Sequence, residues 1–167
     1  MGQLRQLLSS DHADLLEVYR LAVASCPAEL YTSQQRLAWA LQAGDCNAEN
    51  TPSPDLLRCL QRGPGVVSCD ADGRIAAFAV REPRDRLALL YCRPDHQRRG
   101  HGRALIEAIE QQARAEGLRQ LRTEASLVSQ PLLERLGWQC SWQEELMING
   151  VLFRRFRLYK PLQPILD

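Results

Sequence analysis

The run Leu87-Ala88-Leu89-Leu90-Tyr91-Cys92 is apolar at every position. It empties through a loop containing Pro94 into Gly100-His101-Gly102 and then into an amphipathic stretch from Arg103 to Glu116. A strand without polar alternation has to be covered on both faces, which places it near the middle of a sheet. Two glycines spaced by one residue let a ligand approach the backbone closely. The first free amides of the following helix point at that ligand, and the helix dipole favours negative charge there. The pattern predicts a cradle for a pyrophosphate; the alternative is a plain tight turn. A Rossmann site would place a third glycine near Leu105, and a phosphate loop of the Gly-Lys-Ser/Thr type would need a lysine after its glycine. Neither is present.

The other elements fall around this unit. Leu4 to Leu8 reads as a strand, and Ser10-Asp11 as the cap of a helix carrying Leu15, Val18, Tyr19 and Ala22 as far as Pro27. Thr32 and Gln35 have the spacing of a capping box for a second helix through Trp39 to Gly44. Asp45 to Asp55 reads as a loop, and Leu56 to Gln61 as a short helix. Val66–Cys69 and Ile75–Val80 flank Asp70-Ala71-Asp72-Gly73, a hairpin pattern. After the Arg103 helix, Leu121, Thr123 and Ala125 alternate as a strand, and Gln130–Leu136 forms a short helix stopped by Gly137. Trp138–Met147 and Val151–Tyr159 then make a hairpin about Asn149-Gly150, with Trp138 and Trp142 packing it. Strands and helices mix without strict alternation, which predicts a single mixed α/β (α+β) domain over 1–167.

Composition narrows the function classes. Lys+Arg 21 against Asp+Glu 20 leaves a formal charge of +1, with no strongly basic coat for nucleic acid. Lys160 is the one lysine; the other cations are arginines, which suit bidentate phosphate contacts. No apolar run has the length of a membrane span and no secretory leader is evident, so a cytoplasmic protein without membrane partners is expected. The six cysteines stand singly, and the three histidines lack ligand spacing, so neither a disulfide framework nor a metal is expected.

Gln97-x-x-Gly100-x-Gly102 after a strand resembles the pyrophosphate signature of the GCN5-related N-acetyltransferases. Ala125-Ser126-x-x-Ser129-x-x-Leu132-Leu133-Glu134-x-x-Gly137-Trp138 is similar to a second segment of that family. Gly150 followed by Phe156-x-Leu158-x-Lys160 is similar to its closing strand, and Tyr31-Thr32-x-x-Gln35-x-x-Ala38-Trp39 to an N-terminal helix of one bacterial subgroup. The resemblance implies the acyl-CoA N-acyltransferase fold: one central, mostly antiparallel sheet of about seven strands with helices on both faces. It also implies transfer of an acetyl group from acetyl-CoA, as co-substrate, to a primary amine of a small molecule or a protein within a ternary complex. A homodimer through the terminal hairpin is a further expectation.

On this resemblance the cofactor side comprises Tyr91, Cys92, Gln97, Arg98, Arg99, Gly100, His101, Gly102, Arg103, Ala104, Ser126, Ser129, Leu132 and Leu133. The amides from Gln97 to Arg103 would hold the pyrophosphate, backbone at Tyr91 and Cys92 the pantetheine arm, and the Cys92 amide the thioester carbonyl. The family's usual acid is a tyrosine at the position of Leu133, which cannot donate a proton; Tyr91, Ser126, Ser129 or water are the alternatives. An amine base within reach is also needed. Glu124 is the first candidate, against a surface glutamate paired with Arg122 or Arg119, and Glu82, Glu144 and Glu145 follow. Tyr31 is a candidate substrate contact, while Trp39 reads as core and His96 and His101 as surface residues beside the cradle.

Overall fold

The computed structural model describes residues 2–45 and 50–163, so part of the expected Asp45–Asp55 loop lies outside the described residues. Its strands are β1 (Gln3–Gln6), β2 (Gly65–Cys69), β3 (Ile75–Arg81), β4 (Arg86–Cys92), β5 (Gln120–Ala125), β6 (Gln139–Ile148) and β7 (Val151–Pro161). Its helices are α1 (His12–Ala24), α2 (Ser33–Ala40), α3 (Pro54–Arg62), α4 (His101–Ala115) and α5 (Gln130–Arg135). The strands form one 7-stranded sheet in the order β1-β2-β3-β4-β5-β7-β6. Every neighbouring pair is antiparallel except β4–β5. This is the mixed, mostly antiparallel sheet that the resemblance implies.

Several boundaries move for local reasons. Leu8 leaves β1 because its amide donates to Asp11 Oδ2 at 2.8 Å, closing a 3-10 turn that feeds α1. Thr32 and Gln35 form their capping box, and α2 gives way at Ala40 to a 3-10 turn that ends at Gly44. Ser53 accepts from the Leu56 amide and Pro54 occupies the first turn, so α3 starts earlier than its apolar pattern. Asn149 and Gly150 both have positive φ, 48° and 77°, as a two-residue hairpin turn of the mirror-image type requires.

Helices cover both faces. Leu15, Val18 and Val23 of α1 pack with Leu56 and Leu60 of α3 on Val67, Phe78 and Leu89, whereas Leu105, Ile106 and Ile109 of α4 pack with Leu133 of α5 on Ala77, Ala79, Leu121 and Leu158. Trp138 is buried in the α4-side core together with Leu158 of the hairpin strand β7, its Nε1 donating to Glu110 Oε1 at 3.0 Å. Trp142 lies exposed on β6 with the Arg157 guanidinium over its ring at 5.5 Å. Lys160 reaches the Leu136 carbonyl and Glu110 Oε1, pinning β7 to α4 and α5. Among the described residues, no helix is long and apolar enough to cross a membrane.

Arg81 is fully buried. Its two terminal nitrogens donate to Glu116 at 2.6 and 3.1 Å, and one also reaches the Arg84 carbonyl at 2.8 Å. Hydrogen bonds from Arg81, aided by Arg84, hold the Glu116 carboxyl down at about 2. Its folded value lies below the unfolded one, so this contribution is complete above the ordinary carboxyl range and is lost as pH falls through about 2. Glu116→Ala leaves a charged guanidinium buried without its partner, and urea unfolding at pH 7 should show a loss of about 3 kcal/mol. Arg84→Ala, on the exposed side of the same carboxylate, should cost under about 1 kcal/mol.

Candidate functional site

The parallel β4–β5 pairing lasts for Arg86↔Arg122 and Leu87↔Thr123 only. Beyond it the two strands separate. The Arg93 amide bonds the Ala76 carbonyl on the β3 side at 2.8 Å. By the alternation of an antiparallel ladder, Cys92 then turns its own N–H and C=O towards the edge that the separation leaves bare, as does Leu90. The backbone groups open to a ligand are therefore those of Leu90 and Cys92, while Tyr91 contributes its side chain. The apolar run is thus central but only half buried along much of its length, because cavities open against it.

On the α4 side lies a cleft of about 720 Å³ lined by residues including Tyr91, Cys92, Gln97, Gly100, Gly102 and Leu132. Gly100, at φ 87°, caps α4 in the left-handed region, and Arg98 is also left-handed at φ 60°. The helix opens at His101, ahead of the apolar pattern that begins at Arg103. The Ala104 amide bonds the Gly100 carbonyl at 3.0 Å and the Gln97 amide faces Pro94 at 3.4 Å. The amides between them, Arg98 to Arg103, find no acceptor among the described residues, which makes a nest for an anion. A Cβ on Gly102 would sit 3.0 Å from Leu132 Cδ2, so any side chain there narrows the cleft.

The remaining residues expected around the cradle divide. Arg98 and Arg103 line the cleft, with Arg103 held by Glu107 at 2.8 Å; Arg99 and Ala104 are not among the lining residues. His101 is a correction: it is buried, not on the surface, and its Nδ1 lies 2.7 Å from Ser68 Oγ. His96 is buried likewise, between Asp95 at 2.9 Å and Asp70 at 3.0 Å. Both imidazoles brace the floor of the cradle, and His101 gives it only an amide. Ser126 and Ser129 hydrogen-bond each other at 3.1 Å, and Ser126 Oγ accepts from the Val128 and Ser129 amides at 3.2 and 3.0 Å.

On the opposite face lies a second cavity of about 750 Å³. Glu124 points into it from β5, on the strand face away from Leu121, Thr123 and Ala125. Its Oε2 accepts from Arg86 Nε at 2.7 Å, so the partner is Arg86 and not Arg122 or Arg119. Arg122 turns instead to Asp85 at 3.1 Å. Tyr31 lines this cavity but is 2% exposed, with its hydroxyl accepting the Leu127 amide at 2.9 Å. It fixes the turn after β5, and only its ring faces the cavity.

Trp39, Tyr91 and Ser126 line both the cleft and the cavity. The same three border a passage of about 80 Å³ between β4 and β5, with Leu133 on its wall. Trp39 is therefore more than a core residue. Its helical spacing fitted a core position, and only the tertiary convergence of α2 with β4 places it at the junction. Burial raises the Tyr91 hydroxyl well above its ordinary range and the Cys92 and Cys26 thiols to about 11. All three remain protonated at neutral pH, and neither thiol of the cleft is a ready nucleophile. Among the described residues, no cluster of His, Cys, Asp and Glu could hold a metal.

The sequence profile described as "Acetyltransferase (GNAT) domain" matches residues 57–160, which include the cradle and the strand separation. The chain belongs to this family of acyltransferases. It is 24% identical over 160 residues to the uncharacterized N-acetyltransferase YafP of Escherichia coli, covering 95% of this chain and 96% of that one. Among solved structures it is similar to a GCN5-related N-acetyltransferase of Rhodopseudomonas palustris, with TM-score 0.86, 25% identity, and 97% and 96% of the two chains covered. YncA of Salmonella typhimurium, a putative acetyltransferase solved with acetyl-CoA, shares the fold at TM-score 0.65 and 21% identity over 100% and 97% of the chains.

Burial lowers the His101 imidazole below its ordinary range. Between that folded value and ~6.5 the unfolded chain binds more protons, so stability is whole above about pH 6.5 and falls as the solution is acidified through this window. The urea midpoint should drop between pH 7.5 and 5.5. His101→Asn, which keeps an acceptor for Ser68, should flatten that slope.

Proposed function

We propose that the protein transfers an acetyl group from acetyl-CoA directly to a primary amine, both substrates being bound at once. The observation that carries this reading is the meeting of cleft and cavity at one gap in the sheet. A donor in the first and an acceptor in the second can touch only past Tyr91, Trp39 and Ser126. The chain fits acetyl-CoA as substrate: a nest of free amides for its pyrophosphate and a bare strand edge for its pantetheine amides. Acetyl-CoA bound to the YncA relative supports this use of the same fold.

Each group then has a task. The amides from Arg98 to Arg103 hold the pyrophosphate, and the Cys92 amide faces the thioester oxygen where negative charge develops. Glu124, anchored through Oε2 by Arg86, presents its other oxygen to the ammonium and receives its proton directly or through water. With Leu133 buried at the position of the family's usual acid, the departing thiolate takes its proton from Tyr91 or Ser126. Tyr91 is fully protonated, whereas Ser126 Oγ accepts two amides and gives its hydrogen to Ser129 Oγ at 3.1 Å, so it could protonate the thiolate only by releasing Ser129. The protonated thiols argue for direct attack by the amine in place of an acyl-cysteine intermediate.

One observation favours a second reading, a catalytically silent acyl-CoA sensor: the apolar Leu133 offers no proton to the leaving group. Turnover separates the two. Acetyl-CoA at 100 times its Kd should stabilise the protein by about 2.7 kcal/mol. Gly100→Asp, with a carboxylate pointed into open space at the cradle, should abolish the shift. Amine-dependent release of free CoA establishes the transferase, and Glu124→Gln should lower it about 100-fold. A shift without release across a broad amine panel establishes the sensor; no shift in the folded wild type removes both.

A further inference from the structure

The charges of the acceptor-side cavity are unequal. Arg58, Arg86, Arg154 and Arg155 line it, against the carboxylates of Asp55 and Glu124. Asp55 is taken by Arg58 at 2.8 Å and Glu124 by Arg86 at 2.7 Å. Arg155 bonds Glu144, but Glu144 also holds Arg157 at 2.8 Å, so one carboxylate serves two guanidiniums. Arg154, the next residue of the strand, turns to the other face, so Arg155 is the cation that β7 offers to this space. The β7 side of the cavity therefore carries a positive surplus, in a concave site where such a field is strongest.

The placement of that surplus is set by sheet register. Glu124 lies opposite Arg157, so Arg155 is its diagonal neighbour two residues along the same face of β7, roughly 7 to 8 Å away. Beyond Arg155 on the same face comes Phe153, which packs edge-on against Trp39 at 6.2 Å, and Tyr31 and Tyr91 complete an aromatic wall of the cavity. A carboxylate for an ammonium, a cation that shares its own carboxylate, and an aromatic wall beside them thus border one space of small-molecule size, about 750 Å³. Guanidinium suits planar and tetrahedral oxyanions through paired N–H donors.

We infer that the acceptor is a small amine that carries its own anionic group, a carboxylate or a phosphonate, on an apolar body. Its ammonium sits at Glu124, and its acid is held on the β7 side by Arg155. A polyamine is disfavoured, because its further ammonium groups would meet the surplus arginines. This inference rests on the acetyltransferase reading for which end of the ligand faces the splay, but its test is read by binding and stands apart from turnover.

The experiment is calorimetric titration of the CoA-loaded protein with phenylalanine, methionine and leucine, each beside its carboxamide. 1-Amino-2-phenylethylphosphonate separates phosphonate from carboxylate, and spermidine is the polycation. At least one acid should bind tenfold or more tightly than its carboxamide, and Arg155→Gln should bring that ratio below about threefold. Retention of the acetyl-CoA thermal shift certifies that the variant is folded; if it is not, Arg155→Lys, which keeps the charge but loses the paired N–H donors, reads the same ratio. Carboxamides or spermidine binding as well as the acids overturns the inference, as does the absence of binding by every acid. Since CoA release is scored separately, a protein that binds acids without turnover loses the transferase reading and keeps this one.

Discussion

The shortness of one strand pairing governs the rest of the molecule. β4 and β5 run parallel for two residue pairs, locked there by Thr123 Oγ1 donating to the Leu87 carbonyl at 2.7 Å and by the Arg122 amide on the Asp85 carbonyl at 2.9 Å. Past that lock the strands diverge, and unpaired backbone is left in the middle of a sheet, where it would ordinarily be costly. The cost is tolerable because a ligand can satisfy the same groups. Everything chemical in the protein borders this gap: the amide cradle at one end, Ser126 at the turn after β5, and Glu124 on the face beyond.

Rigid surroundings keep the gap open. Tyr31, nearly a hundred residues from the turn in sequence, accepts the Leu127 amide, so α2 and the β5–α5 turn cannot move independently. Thr32 and Gln35 fix the start of α2, and Gln35 Nε2 reaches the Leu152 carbonyl of β7 at 3.0 Å. On the opposite side, Ser68 and His101 tie the first turn of α4 to β2 at 2.7 Å. The cradle is thus attached to one half of the sheet and the acceptor wall to the other, with the splay as the seam.

What the sequence made legible was whatever depends on local chemistry. The glycine turn, the capping box, the Asn149-Gly150 hairpin and the alternation that turns Glu124 away from the core all rest on neighbouring residues and hold in three dimensions. What it concealed depends on distant partners. Nothing near Glu124 in sequence points to Arg86, which meets it only because β4 and β5 pair in parallel across the intervening helix. His96 and His101 read as surface because polar residues surround them, yet they are buried by contacts to Asp70 in the turn after β2 and to Ser68 on β2. Trp138 and Trp142 are equivalent aromatics in sequence, and only the packing of α4 decides that the first is core and the second exposed.

The arginine content acquires a physical sense on the same ground. With a net charge of +1, the chain holds nearly as many carboxylates as cations. Where two guanidiniums converge on one carboxylate, at Glu116 and at Glu144, the outcome depends on burial. At Glu116 the cluster encloses the fully buried Arg81 and serves the fold. At Glu144 both arginines keep a third or so of their side chains open to solvent, Arg155 at 30% and Arg157 at 39%. A guanidinium that shares its partner and faces a cavity retains unused donors there. The same chemistry therefore braces the sheet at one place and offers an oxyanion a seat at the other, and the difference is set by which of the two opens onto the acceptor space.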